Sequence, residues 1–127
     1  MELIDKAKQA MQKAYAPYSG YKVGAALLCD DGKIFLGCNI ENSAYSPTIC
    51  AERAAFAAAI TAGQRKFSAI AVCGGKDGSI DGVFPPCGVC RQVMAEFCRP
   101  DFKIYLVTKD GYEETSLGQL LPNSFSL

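Results

Sequence analysis

From Glu2 to Tyr15 the apolar residues Leu3, Ile4, Ala7, Ala10, Met11, Ala14 and Tyr15 recur at the spacing of one helix face, with Lys, Glu and Gln between them. The pattern predicts an amphipathic first helix, ended by Pro17. After the turn residues Ala16-Pro17-Tyr18-Ser19-Gly20 the helical period disappears, and Val23 to Cys29 is nearly continuously apolar, as in a strand covered on both faces. Asp30-Asp31-Gly32 marks a hairpin into a second strand over Lys33 to Asn39. Pro47 and Thr48 precede an alanine-rich run, Cys50 to Thr61, of high helix propensity, with Gly63 as its stop. Ala69 to Cys73 reads as a short buried strand, and residues 74–86 as a loop of Gly, Pro and Asp. Gly88 to Cys98 reads as a third helix with Val89, Val93, Met94 and Phe97 inward. Lys103 to Thr108 predicts a strand, Lys109-Asp110-Gly111 a turn and Tyr112 to Thr115 an edge strand. Ser116 can cap a last short helix through Leu121, broken at Pro122.

Strand-helix-strand steps demand parallel crossovers and the hairpins demand antiparallel neighbours. The expected fold is therefore α/β, a mixed sheet of about five strands sandwiched by helices on both faces. Its 127 residues suit one domain over residues 1–127, with no linker, repeat or low-complexity segment. A chain of this length buries roughly two thirds of its unfolded surface without disulfide staples.

Charge narrows the function classes. Thirteen Lys plus Arg balance thirteen Asp plus Glu, which leaves no electrostatic footprint for a phosphate backbone or an anionic membrane. Histidine is absent, so Ser-His-Asp and Cys-His nucleophile systems, H-E-x-x-H proteases and imidazole metal sites are excluded. A general acid or base must then be Asp, Glu, Lys, Tyr or Cys. No apolar run approaches the ~18 residues of a membrane span, and the N-terminus lacks a signal-peptide pattern. The chain reads as cytoplasmic, with reduced thiols. Its slightly positive mean hydropathy points to surface covered by other subunits.

Seven cysteines, an odd number, are many for such a chain. In a reducing compartment, clustered ones serve as metal ligands or catalytic groups rather than bridges. Cys87-Gly88-Val89-Cys90 has the spacing of half a zinc site, and also that of a thioredoxin-like redox pair or of two incidental buried thiols. Cys50 supplies a third thiol, also at a predicted helix start, where the positive end of the helix dipole stabilises a thiolate. Three thiolates leave one tetrahedral position open, the pattern of a catalytic zinc rather than a structural one. A metal in such a site lowers the pKa of bound water, and Glu52 is placed to shuttle the proton. Alone, Glu52 would read as a solvated glutamate favoured by the helix dipole. Three thiolates give one Zn2+ a net charge of −1, and Arg53 can offset it by donating to thiolate sulfur; otherwise Arg53 reads as a surface cation. Cys29, Cys38, Cys73 and Cys98 read as buried small hydrophobes.

Cys50-Ala51-Glu52 together with Pro86-Cys87-Gly88-Val89-Cys90-Arg91-Gln92 resembles the zinc signature of the nucleoside cytidine deaminases, in their small, homotetrameric three-cysteine branch. The likeness extends over Ala16-Pro17-Tyr18-Ser19, Val23-Gly24-Ala25-Ala26-Leu27, Gly37-Cys38-Asn39-Ile40-Glu41-Asn42 and Leu120-Leu121-Pro122-Asn123-Ser124-Phe125. It implies one Zn2+ per chain held by Cys50, Cys87 and Cys90, with Glu52 as the proton shuttle. It further implies ribose hydroxyls held by Asn39 and Glu41, O2 of the base met by the Ala51 N–H, and the leaving amine met by the Pro85 carbonyl. Tyr21 would line the base pocket, where the family commonly has phenylalanine, and Lys22 follows where proline is common. Phe125 and Tyr45 would reach a neighbouring subunit's site. The implied reaction is hydrolysis of cytidine and 2'-deoxycytidine to uridine and 2'-deoxyuridine in pyrimidine salvage. The alternative is a related aminohydrolase acting on another cytosine nucleoside such as blasticidin S. The expected partners are a small nucleoside and copies of the chain in a homotetramer with composite sites, with neither nucleic acid nor membrane.

Overall fold

The computed structural model describes residues Met1–Leu127. The elements run α1 (Glu2–Met11), β1 (Tyr21–Cys29), β2 (Ile34–Cys38), α2 (Ala51–Thr61), β3 (Phe67–Lys76), α3 (Gly88–Phe97), β4 (Lys103–Val107), β5 (Tyr112–Ser116) and α4 (Leu117–Leu120). All five strands join one sheet in the order β2-β1-β3-β4-β5. β1 pairs antiparallel with both β2 and β3, β3 pairs parallel with β4 across the α3 crossover, and β4 pairs antiparallel with β5. The sheet is thus mixed, as the order of elements requires.

Both faces of the sheet are covered. Leu3, Ile4, Ala7 and Met11 of α1 pack with Ala26, Ala69, Ala71 and Cys73. On the opposite face Ala55, Phe56 and Ala59 of α2, Met94 of α3 and Leu117 of α4 pack with Leu27, Ile70, Val72, Ile104 and Leu106. Successive residues of a strand point to opposite faces, so a strand buried on both sides loses the apolar-polar alternation. That accounts for the continuous apolar run of β1. Small residues set the layer spacing: a Cβ at Gly24 would overlap the main chain of Ala7 and Met11, and one at Gly37 would overlap the Ala51 carbonyl and the Ala55 nitrogen.

Three local differences separate the structure from the sequence pattern, and the first two have tertiary causes. The first helix ends at Met11 rather than Tyr15, because the Tyr15 main chain is drawn into a bridge: its N–H donates to Asn39 O and its carbonyl accepts from Glu41 N. β3 runs past Cys73 to Lys76 because it pairs with β1 as far as Tyr21 opposite Lys76. Gly74 and Gly75 look like loop residues, yet a side chain there would meet Phe84 or the Ser79 carbonyl. Val89, expected inward, is exposed in the first turn of α3, while Met94 is fully buried. Ser116 caps α4 as its position implies, accepting from Gln119 N at 3.3 Å.

Candidate active site

Two strands antiparallel to the same strand run in the same direction, so β2 and β3 both end at one edge of the sheet. The chain leaves each strand there, and α2 and α3 begin there. Open α/β sheets bind ligands beyond these carboxyl ends. Cys50 is the N-cap residue of α2 and Cys87 that of α3, both in extended conformation, and Cys90 lies one turn into α3. The three Sγ atoms lie within 4.8 Å of one another. Cys50 Sγ is 3.8 Å from Cys87 Sγ, which is 3.6 Å from Cys90 Sγ. Thiolates at ~2.3 Å from a tetrahedral zinc are separated by about 3.8 Å. The donor set and its spacing therefore fit a zinc ion.

The surrounding charges favour thiolate. Arg53 Nη2 donates to Cys50 Sγ at 3.4 Å, and Arg53 Nε is buried without a hydrogen-bond partner. The Cys50 thiol is lowered to about 5, chiefly by hydrogen bonding from Cys90, then by Arg53 and Cys87. Cys90 moves upward, because it shares the proton with Cys50 and is buried. The Arg53 guanidinium is raised by its contact with Cys50. Arg53 and the shared proton thus favour a thiolate at Cys50, and metal binding requires its cysteine ligands as thiolates.

Glu52 is only 4% exposed. Its carboxyl is pushed up to about 7, first by burial and further by the charge on Cys50, against the opposing effect of its own backbone N–H. A carboxyl with that pKa can both give and take a proton near neutral pH.

A cleft of ≈ 210 Å³ opens at the thiols, and its walls include Cys50, Ala51, Glu52, Cys87, Pro85, Asn39 and Glu41. Seven of the expected site residues therefore share one cavity, with Cys90 behind it and Arg53 against the thiols. The Asn39 side chain is anchored to β1: Oδ1 accepts from Val23 N and Nδ2 donates to Tyr21 O, each at 2.8 Å. One amide hydrogen and one carbonyl lone pair remain for a ligand. The other three expected residues, Tyr21, Tyr45 and Phe125, also lie outside the cleft's lining. Tyr21 packs beside Phe84 with ring centroids 6.0 Å apart. Tyr45 is 79% exposed in the loop before α2, with φ 62°. Phe125 is 68% exposed, its carbonyl accepting from Gln92 Nε2 at 3.1 Å.

The cleft also contains Val23, Thr48, Ile49 and Phe84, none of which the motifs assign a site role. Arg91, inside the zinc-signature segment, has no role assigned by the motif either. It donates to Pro86 O and Leu120 O, both at 2.7 Å, and so fixes the approach to Cys87. No helix is long and apolar enough to cross a membrane.

The profile of the cytidine and deoxycytidylate deaminase zinc-binding region matches residues 1–106. A cytidine deaminase of Sporosarcina psychrophila is 52% identical over 126 residues, covering 98% of this chain and 90% of that protein. One of Halalkalibacterium halodurans is 47% identical over 125 residues, covering 98% and 92%. The crystal structure of cytidine deaminase from Burkholderia pseudomallei superposes with a TM-score of 0.90 at 49% identity, covering 98% of this chain and 97% of that one. That of cytidine deaminase from Mycobacterium tuberculosis gives 0.83 at 40% identity, covering 99% and 96%. Agreement this close over nearly the whole length, in sequence and in fold alike, means that the chain belongs to the cytidine and deoxycytidylate deaminase family of zinc enzymes.

Proposed function

We propose that the protein hydrolyses cytidine and 2'-deoxycytidine to uridine and 2'-deoxyuridine, releasing ammonia, and that it serves pyrimidine salvage in the cytoplasm as one domain over residues 1–127. The observation that carries this reading is the buried Glu52 carboxyl in the same cleft as two of the three clustered thiols, Asn39 and Glu41. The relatives named cytidine deaminase support it over an aminohydrolase of blasticidin S.

Cys50, Cys87 and Cys90 would hold one Zn2+. When bound, the ion supplies a Lewis acid and a nucleophile derived from water. Glu52 takes a proton from the attacking water and gives it to N3 of the base, then takes the second proton from the hydroxyl added at C4 and delivers it to the departing amine. Burial pushes its carboxyl up from the ordinary carboxylate value, which suits it to both directions of transfer. The Ala51 N–H, at the start of α2 where backbone donors lack intrahelical partners, receives the O2 carbonyl. The Pro85 carbonyl accepts from the leaving amine, a main-chain role that proline can fill. Arg53 offsets the net negative charge of three thiolates, and Asn39 and Glu41 hold the sugar hydroxyls.

Tyr21 sits beside Phe84, itself a wall of the cleft, and so can border the base. The exposure of Tyr45 and Phe125 in this single chain supports their packing against a neighbour in a homotetramer with composite sites. The test is a zinc assay with ultraviolet absorbance during incubation with cytidine. One zinc per chain and conversion to uridine are expected. Zinc-loaded protein that leaves cytidine and 2'-deoxycytidine intact would overturn the reading.

A further inference from the structure

The turn between α1 and β1 directs three donors at one carboxylate. The Tyr18 and Ser19 N–H groups donate to Glu41 Oε1 at 2.9 and 3.1 Å, and the Ser19 hydroxyl donates to Glu41 Oε2. Ser19 Oγ also accepts from Tyr21 N at 3.0 Å, which fixes the hydroxyl's own orientation. The turn is braced from behind by the end of β3. Lys76 Nζ donates to Ser19 O at 2.9 Å while lying 5.1 Å from the centroid of the Tyr21 ring, and Asp77 N donates to Gly20 O at 2.7 Å. The backbone of Glu41 is tied independently to Tyr15. Both ends of this glutamate are therefore held before any ligand arrives.

We propose that Ser19 is a positioning residue for sugar recognition, holding the Glu41 carboxylate in the orientation that accepts from a ribose hydroxyl. The proposal rests on the reading of Glu41 as a sugar-binding residue given above. A free glutamate side chain loses several rotations on binding a ligand, and a carboxylate already frozen avoids that cost. Donors on both oxygens also favour the ionised form, consistent with a Glu41 carboxyl lowered chiefly by Ser19. An ionised carboxylate only accepts, so its ligand must donate, as a hydroxyl does. Ser19 is exposed and outside the core, so its loss should change the carboxylate rather than the fold.

The test compares zinc-loaded, full-length Ser19→Ala, Ser19→Thr and Glu41→Ala with the parent, using cytidine and 2',3'-dideoxycytidine. Loss of one charge-assisted hydrogen bond should raise the cytidine KM of Ser19→Ala about tenfold, with kcat and both dideoxycytidine constants within about twofold. Ser19→Thr, which keeps the hydroxyl, should restore most of the difference. An unchanged cytidine KM in Ser19→Ala, equal losses on both nucleosides, or failure of Thr to restore would overturn the positioning role. Glu41→Ala separates the two levels of the argument. If it weakens cytidine selectively while Ser19→Ala does not, only the role of Ser19 is lost. If it does not distinguish the nucleosides, the sugar-binding reading fails and the proposal falls with it.

Discussion

Arg53 Nη2 lies 3.4 Å from Cys50 Sγ, one helical turn apart at the start of α2, and it is the guanidinium that meets the thiol cluster. The pairing comes from helix geometry, because residues three apart share a face. Arg53→Gln keeps a donor but removes the positive charge. We expect lower turnover, with the acidic limb of the pH–rate profile moved upward because water in a more negative site is harder to ionise. An unchanged rate and profile would make Arg53 a surface cation only.

Each cysteine of the trio should be needed for the metal. Cys50→Ala, Cys87→Ala and Cys90→Ala each remove a third of the proposed protein ligands, and each should lose stoichiometric zinc together with activity. Cys29→Ala is the internal comparison: that thiol is buried in the core at the end of β1 away from the site, and zinc content should be retained. Metal analysis of purified protein checks all four variants.

Glu52→Gln should keep zinc and fold while losing turnover by about a hundred- to ten-thousandfold, the usual contribution of a positioned proton-transfer group. Near-normal turnover would remove the proton-shuttle role.

Stability of the zinc-free protein gives a second reading of the same side chain. The folded-state pKa of Glu52, about 7, lies above its ordinary value of 4.5. The folded state therefore binds more protons than the unfolded state between those values, and stability falls as pH rises through that window. Glutamine is neutral throughout, so Glu52→Gln should gain on the parent from about pH 4.5 to 7 and then level off. The gain should reach on the order of 2–3 kcal/mol. Denaturant melts of the two zinc-free proteins at pH 4.5 and 8 measure it, and a constant difference would contradict the burial of a titrating carboxyl.

Gly37→Ala should be costly although it adds one methyl group. The new Cβ would overlap the backbone at Ala51 and Ala55, which cannot swing aside as a side chain can. Overpacking of this kind costs about 1–3 kcal/mol or more, equivalent to a Tm fall of several degrees. Because α2 carries Cys50, Ala51 and Glu52, activity per folded molecule should fall as well.

A shared active site predicts complementation. Base–aromatic contact is worth ~1–3 kcal/mol in nucleic-acid binders, so Phe125→Ala should weaken substrate binding. Mixing Phe125→Ala with Glu52→Gln under subunit exchange should restore pockets with both residues intact, and activity should exceed the sum of the parents. Hybrids giving only that sum would confine Phe125 to its own chain.

Local chemistry is what a sequence carries most directly. Gly63 at φ 96° stops α2, Ser116 caps α4, and the Cys87-x-x-Cys90 spacing puts two sulfurs 3.6 Å apart because both lie in one helical turn. The pairing of Cys50 with Cys87, 37 residues on, is legible only through its motif. What brings them within 3.8 Å is the shared direction of β2 and β3 against β1. The same distinction explains what the residue pattern missed. Tyr15 has the apolar spacing of a helix, yet main-chain pairing with Asn39 and Glu41 draws it out, and Gly74 and Gly75 join a strand because β1 offers partners. Ser19 reads as an ordinary turn residue until the fold sets Glu41, 22 residues away, against its hydroxyl. Helix spacing, caps and turn conformations depend on near neighbours and can be read along the chain. Burial, which raises Glu52, and long-range donors, which hold Glu41, exist only after the sheet has closed the distance.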